Sequence, residues 1–209
     1  RSRSPSARRA IKRIRSRDWR RVALPILFLD NMQKGTFGGI RGDAFREFLR
    51  ICFSNADFFT LSKTVPRGYE LVPNVPEAQL LPFLLKAAPV KAWYGYERIS
   101  ITMIQNIYRT SDAARKVISD CYDDIFLTAK KRLKKVPIDT VGRIPKQVSV
   151  LEDICFFSRE RMLLGTVSHE RFCSTNMLDE KFAGELLSVG AWKEAQEPEL
   201  GIEKIRLPR

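Results

Sequence analysis

The chain contains a single histidine, His169, which stands between Ser168 and Glu170. An imidazole beside a carboxylate is a pair used in general acid–base catalysis, and a neighbouring hydroxyl is a candidate nucleophile. In an extended segment adjacent side chains point to opposite faces, so the three groups would not form one relay. Two interpretations follow: a catalytic pair formed by His169 and Glu170, or a partly buried histidine at a strand end with a structural hydrogen bond. We favour the second, and expect a protein that is not an enzyme.

Cations are the second chemical feature of the chain. The first 21 residues hold ten basic residues against Asp18, which is a net charge of +9 and leaves +4 of the total +13 for the rest. Such an arm could neutralise several phosphates, with an affinity that falls steeply as salt rises. A second basic run and the aromatic residues Trp93, Tyr94 and Tyr96 point the same way, towards nucleic acid or another polyanion. The candidate phosphate contacts are Arg8, Arg9, Lys12, Arg13, Arg15, Arg17, Arg20, Arg21, Lys130, Lys131, Arg132, Lys134 and Lys135.

These basic and aromatic residues also have structural interpretations. Lysines near the end of a helix stabilise its dipole, and aromatic residues of strands are mostly part of a core. The chain has no recognised nucleic-acid-binding motif.

The four cysteines are widely spaced and lie in apolar surroundings, which predicts buried free thiols. A zinc site built from Cys155, His169 and Cys173 would need all three within about 2.3 Å of one metal. If a hairpin turns at residues 159–160, Cys155 faces about Leu164. Leu164 is five residues from His169, so at roughly 3.3 Å per residue Cys155 lies some 16 Å from His169. We therefore predict neither a metal nor a cofactor. The glycine-rich segment 34–42 lacks phosphate-loop spacing and is expected to be a connector.

Apolar periodicity predicts the helices. Phe45, Phe48, Leu49 and Cys52 recur at helical spacing after Asp43, the expected cap. Further helices are predicted from residue 111, with an apolar period that continues to Leu133, and from an Asn176 cap to Gly190. Any helix within the proline-rich segment 64–90 should be short, at about residues 77–85.

Strands are predicted at residues 22–29, 58–61 and within 92–108, together with a hairpin formed by residues 154–157 and 162–167. Pro25 suggests that the first strand lies at a sheet edge. These elements predict an α+β fold with a single mixed sheet of four to six strands and about three packing helices. The organisation is a basic arm (1–21), a globular domain (22–190) and a polar tail (191–209).

With 209 residues, 44% of them apolar, the chain can form a sizeable core. The longest apolar run has eight residues, whereas a membrane-spanning helix needs about 20. We predict a cytoplasmic protein without a membrane partner. The oligomeric state stays open.

Residues 151–157 (LEDICFF) and 163–170 (LLGTVSHE) resemble a segment of small bacterial α+β proteins, and residues 54–61 (SNADFFTL) are similar to a second segment of the same proteins. The resemblance implies a bacterial, cytoplasmic α+β domain. No activity is known for that group, so it implies no site residues.

These observations favour a binding protein whose arm engages nucleic acid, another polyanion or an acidic protein. Two alternatives stay open. One is a small enzyme with a site around His169 and Glu170, and the other is a protein–protein accessory factor of an immunity or defence system.

Overall fold

The computed structural model describes residues 26–29, 39–91, 93–94, 102–130, 146–176, 178–195 and 206–208. Within these ranges the chain forms four α-helices and ten strands, and the predicted α+β class is confirmed. The helices are α1 (Gly42–Asn55), α2 (Val75–Leu80), α3 (Asp112–Cys121) and α4 (Glu180–Leu187), and a 3-10 turn spans Leu81–Phe83. The strands are β1 (Ile26–Leu29), β2 (Phe58–Val65), β3 (Glu70–Val72), β4 (Leu84–Val90), β5 (Thr102–Arg109), β6 (Lys146–Val148), β7 (Glu152–Ser158), β8 (Arg161–Val167), β9 (Phe172–Thr175) and β10 (Trp192–Ala195).

Eight of these strands form one sheet in the order β10-β1-β9-β8-β7-β2-β5-β4, in which every neighbouring pair is antiparallel. The predicted mixed sheet of four to six strands therefore has too few strands. Its pairing also differs, because the observed sheet is purely antiparallel and not mixed. One missed strand is β4, which contains Pro89 and lies at the sheet edge, where a proline disrupts no ladder. The remaining two strands, β3 and β6, pair in parallel apart from the main sheet.

The sheet also extends into the segment predicted to be a polar tail. Trp192–Ala195 pairs with β1 as the terminal strand β10, and the side chain of Trp192 belongs to the main core. Strand β1 consequently lies between β10 and β9 and not at the edge that Pro25 suggested. Pro25 itself is outside the described residues.

The helices bury their apolar stripes against one face of the sheet. In α1 the predicted residues Phe45, Phe48, Leu49 and Cys52 are all buried, and the ring of Phe48 meets that of Phe156 on β7 edge to face, with centroids 6.2 Å apart. Asp43 is not the cap of α1, because the N-cap position is residue 41, whose side chain makes no capping hydrogen bond.

Two other helix boundaries differ from the prediction. The carboxylate of Asp179, not the side chain of Asn176, caps α4 by accepting a hydrogen bond from the Phe182 amide, whereas Asn176 donates to the Met162 carbonyl. Helix α3 starts where it was expected, directly after Ser111, whose side chain caps it, and it ends at Cys121. From residue 122 to residue 130 the apolar period, as at Ile125, reflects buried turns rather than helix, and its last part up to Leu133 lies outside the described residues.

A second core covers the opposite face of the sheet. It contains Trp93, Tyr94, Met103, Cys155, Phe157, Met162 and Val167.

The helix predicted at residues 77–85 is instead α2, the 3-10 turn and the start of β4. The hairpin prediction is confirmed, with β7 and β8 joined through residues 159–160. Within the described ranges, no helix has the length and apolar content needed to cross a membrane.

Candidate functional site

The predicted catalytic pair lies in the turn between β8 and β9, not at the end of a strand. The side chains of His169 and Glu170 are 51% and 53% exposed, and their Nε2 and Oε1 atoms are 3.7 Å apart, beyond hydrogen-bonding range. The expected partial burial of His169 is therefore wrong. Neither residue lines either of the two grooves described below. Two exposed side chains beyond hydrogen-bonding distance do not form a preorganised acid–base pair.

Ser168, the adjacent candidate nucleophile, is engaged with the buried Asp153. The Ser168 amide donates to Asp153 Oδ1 at 2.6 Å, and the Asp153 amide donates to Ser168 Oγ at 3.0 Å. The hydroxyl of Ser62 donates to Asp153 Oδ2 at 3.1 Å. These bonds join the β8–β9 turn to strands β7 and β2, so Ser168 has a structural role.

Glu152 is a half-buried carboxylate whose pKa is influenced by His169. Burial raises the pKa of Glu152, and repulsion from the neighbouring Asp153 raises it further, whereas the proximity of His169 lowers it. His169 therefore interacts electrostatically with Glu152 on β7 as well as with Glu170.

The three residues considered as zinc ligands differ in burial. Cys155 and Cys173 are fully buried, whereas His169 is exposed. A bulge between Phe156 and Phe157 places Cys155 opposite Gly165, one residue from the expected Leu164. In the part of the chain that the structure describes, no group of three or more histidine, cysteine or acidic side chains could hold a metal ion. Burial raises the pKa of both thiols, which keeps them protonated.

Most of the predicted phosphate contacts lie outside the described residues. These are the eight predicted contacts within the arm, together with Lys131, Arg132, Lys134 and Lys135. Lys130 is described, and its Nζ donates to the Ser119 carbonyl at 2.6 Å, so it satisfies a carbonyl near the carboxyl end of α3. The predicted stacking residues Trp93 and Tyr94 are buried in the second core and present no ring to a base, and Tyr96 is outside the described residues.

Helices α1 and α3 form a charged groove that sequence reasoning did not identify. Four cations line it, together with three carboxylates and the Ser119 side chain: Arg46, Arg50, Arg115, Lys116, Asp43, Glu47 and Asp112. Three of the cations pair with an acid three residues earlier on their own helix, as Arg50 does with Glu47 at 2.8 Å. Such exposed pairs contribute little to stability and are screened by salt. The signal in the sequence is the matching three-residue spacing of acid and base on two helices.

A second unpredicted feature is a buried polar cluster around Glu77 on α2. Its carboxylate forms an ion pair with Lys63 on β2, accepts a hydrogen bond from Ser149 Oγ, and lies 3.4 Å from Asn106 Nδ2. The Asn74 side chain caps α2 by accepting a hydrogen bond from the Glu77 amide. Because each charged group has a partner, this cluster joins α2 to the sheet and to the segment after β6.

No protein-family model, curated protein or solved structure matches the chain significantly.

Proposed function

We propose that the protein binds a polyanion, nucleic acid first, and that its basic arm supplies most of the affinity. The observation that carries this proposal is the distribution of charge, since residues 1–21 have a net charge of +9 against +4 for the remaining 188 residues. Each neutralised phosphate releases a condensed counterion, so affinity follows the local number of cations. The arm cations assigned to phosphates are Arg8, Arg9, Lys12, Arg13, Arg15, Arg17, Arg20 and Arg21.

The groove between α1 and α3 supports an auxiliary contact for the same ligand. The carboxylate partners of its cations are exposed, as for Arg115 and Asp112, so a phosphate can replace them at little cost. The Ser119 side chain lines this groove, and its carbonyl accepts the hydrogen bond from Lys130. The basic run 130–135 therefore begins beside the groove. With acids and bases nearly balanced there, the groove is expected to position the ligand more than to attract it.

Cysteine chemistry supports a cytoplasmic location for this function. All four thiols are free, and Cys52, Cys155 and Cys173 are buried. A protein with these features persists in a reducing compartment without a change of covalent structure.

The test compares full-length variants for binding to duplex and single-stranded DNA by fluorescence anisotropy, at about 50 mM and 200 mM salt. For six to ten phosphate contacts the wild type should lose roughly 10³–10⁵ in affinity between the two conditions. Changing the eight assigned cations, out of the ten in the arm, to glutamine should remove most of the affinity and of the salt dependence. The double variant Arg46→Gln and Arg115→Gln removes only part of the auxiliary contact and should retain most of both.

Two results would contradict the proposal. One is equal affinity of the wild type and the arm variant. The other is binding that does not respond to salt.

A further inference from the structure

Residues 206–208 lie beside the first residue of β8, at the tip of the β7–β8 hairpin. One side of Arg161 is paired with β7, and β9 pairs only with the later part of β8. The free side of Arg161 instead pairs with Arg206 in an isolated antiparallel bridge. The Leu207 amide donates to the Glu160 carbonyl at 3.2 Å, as an antiparallel ladder requires. The segment is therefore a short strand added where β9 does not reach.

This added strand contacts both faces of the sheet, because neighbouring side chains of a strand point to opposite faces. Arg206 lines a groove of about 530 Å³ at the amino-terminal end of α4, together with Arg159 and Arg161. Leu207 lies on the opposite face and packs against the second core. One side chain on each face thus covers the tip of the hairpin.

The contact of residues 206–208 is shallow. Arg206 is exposed, and Leu207 and Pro208 are half-buried, whereas Phe157 and Met162 of the second core have no exposure. Hydrophobic stabilisation follows the apolar area removed from water, so Leu207 contributes less than a core residue. A segment with little buried surface opens locally while the rest of the sheet stays folded.

The site accepts a single strand. In an antiparallel ladder the amides of successive residues point to alternate sides, so the nitrogen of position 208 faces away from β8. Position 208 is a proline, which has no amide to offer to a further strand. Ten residues separate β10 from Arg206, which makes closure of the segment intramolecular. A linked segment has an effective concentration on the order of millimolar, which keeps even a weak contact mostly closed.

We propose that residues 206–208 form a displaceable strap over a peptide-docking site, which consists of the start of β8 and the adjoining surface of the second core. The ligand class is an extended peptide with a leucine at the position of Leu207, and the strap occupies the site in its absence. Such a peptide binds by strand addition: backbone hydrogen bonds give affinity, and the leucine gives specificity. The site involves none of the arm residues and is independent of polyanion binding.

The test measures binding of a fluorescent peptide with the sequence of residues 204–209 (KIRLPR) to full-length variants by anisotropy. The wild type should bind it weakly, because the strap competes. Leu207→Ala in the protein loosens the strap and should raise the affinity about tenfold, since apparent affinity follows the open fraction. The matched control Leu187→Ala changes an exposed leucine of α4 and should alter the affinity less than twofold. A peptide carrying Leu207→Ala should bind neither protein.

Hydrogen exchange of the wild type provides a second measurement, which does not depend on the folding of a variant. The Leu207 amide should exchange through local opening, at a rate that low concentrations of urea do not change. The amides of β7 should exchange only through global unfolding, which urea accelerates.

Four results would overturn the proposal. Three are an unchanged peptide affinity in the Leu207→Ala protein, equal binding of the peptide that lacks the leucine, and a Leu207 amide as protected as those of β7. The fourth is a concentration-dependent dimer of the wild type that Leu207→Ala dissociates, because the segment would then occupy the site of a second copy. The variant with the neutralised arm should bind the peptide like the wild type, so this site and the polyanion site can fail separately.

Discussion

The ring of Tyr94 lies directly against the backbone of Gly165 on β8. A β-carbon at Gly165 would stand 2.8 Å from Cδ1 and 2.9 Å from Cε1 of that ring, closer than side-chain carbons approach. The Tyr94 hydroxyl forms a 2.8 Å hydrogen bond with Ser174 Oγ on the neighbouring strand β9. Because the tyrosine is fully buried, its ring has little freedom to move away. Glycine at position 165 is therefore a packing requirement of the second core.

The first prediction concerns this contact. Gly165→Ala should lower the free energy of unfolding by about 1–3 kcal/mol, the usual cost of overpacking. The matched control is Gly184→Ala in α4, where an added β-carbon meets no atom within 4 Å. It should raise stability by roughly 0.5–1 kcal/mol, since alanine is the better helix former. Urea unfolding measures both variants, and equal effects would contradict the packing argument.

The second prediction concerns Asp153 and the β8–β9 turn. Asp153→Ala should cost about 1–3 kcal/mol, because it leaves the part-buried Ser168 amide without its acceptor and removes one of the two acceptors of the Ser62 hydroxyl, the other being the Glu152 carbonyl. His169→Gln, in the same turn but exposed, should change stability by less than about 0.5 kcal/mol. Thermal and urea unfolding distinguish the two. A larger loss in the His169 variant would mean that the histidine has an essential structural role.

The third prediction uses pH. Because the pKa of Glu152 is raised in the fold, the folded protein binds more protons than the unfolded chain between the two pKa values. The contribution of Glu152 to stability therefore falls as pH rises from its ordinary value through its raised one. Glu152→Gln should make the protein more stable at pH 7, and this gain should vanish well below pH 4.5, the ordinary value. Unfolding curves across this range test the sign, and an equal gain at both ends would contradict it.

The fourth prediction concerns the ion pair of Lys63 and Glu77, whose side chains are 15% and 7% exposed. Removing one member leaves the other charge buried and alone, so Lys63→Met and Glu77→Gln should each cost about 3 kcal/mol. The double variant should cost less than the sum of the two. The exposed pair Lys116 and Asp120 is the control and should show a coupling of about 0.5 kcal/mol or less. Strict additivity at Lys63 and Glu77 would mean that the pair is not coupled.

The fifth prediction concerns thiol reactivity. Under native conditions an alkylating reagent should modify only Cys121, which is partly exposed, and it should react slowly because burial raises the pKa of that thiol. All four cysteines should react in denaturant. Cys121→Ser should abolish the native labelling, and rapid modification of Cys52, Cys155 or Cys173 would show that the cores open readily.

Reductant and chelator should leave the melting temperature unchanged.

Local patterns predicted those elements whose signals lie within a few residues. The stripe from Phe45 to Cys52 predicted α1, the apolar period from residue 111 predicted the start of α3, and the residues around Arg159 predicted the hairpin. In each case about two helical turns or one pair of adjacent strands contain the whole pattern. The prolines of segment 64–90 argued against a strand, so β4 was not predicted. The strand forms because it lies at the sheet edge, which tolerates Pro89 where a central strand would not.

The predicted catalytic site depended on burial, which a local pattern does not contain. The same residues that suggested a partly buried histidine form an exposed turn at His169, and the buried polar residue there is Asp153. Spacing along the chain also gave no sign that Lys63 would meet Glu77, or that Arg161 would face Arg206.

The sequence by itself determined the α+β class, the amphipathic helices, the β7–β8 hairpin and the concentration of positive charge in residues 1–21. These are properties of composition and of short-range periodicity. Tertiary structure alone decided the eight-strand order, the place of β10 beside β1, the burial of Asp153 and Glu77, and the groove shared by Arg159, Arg161 and Arg206. The physical reason is that pairing register and burial depend on contacts between segments far apart in the chain, whose energies no local window of residues contains.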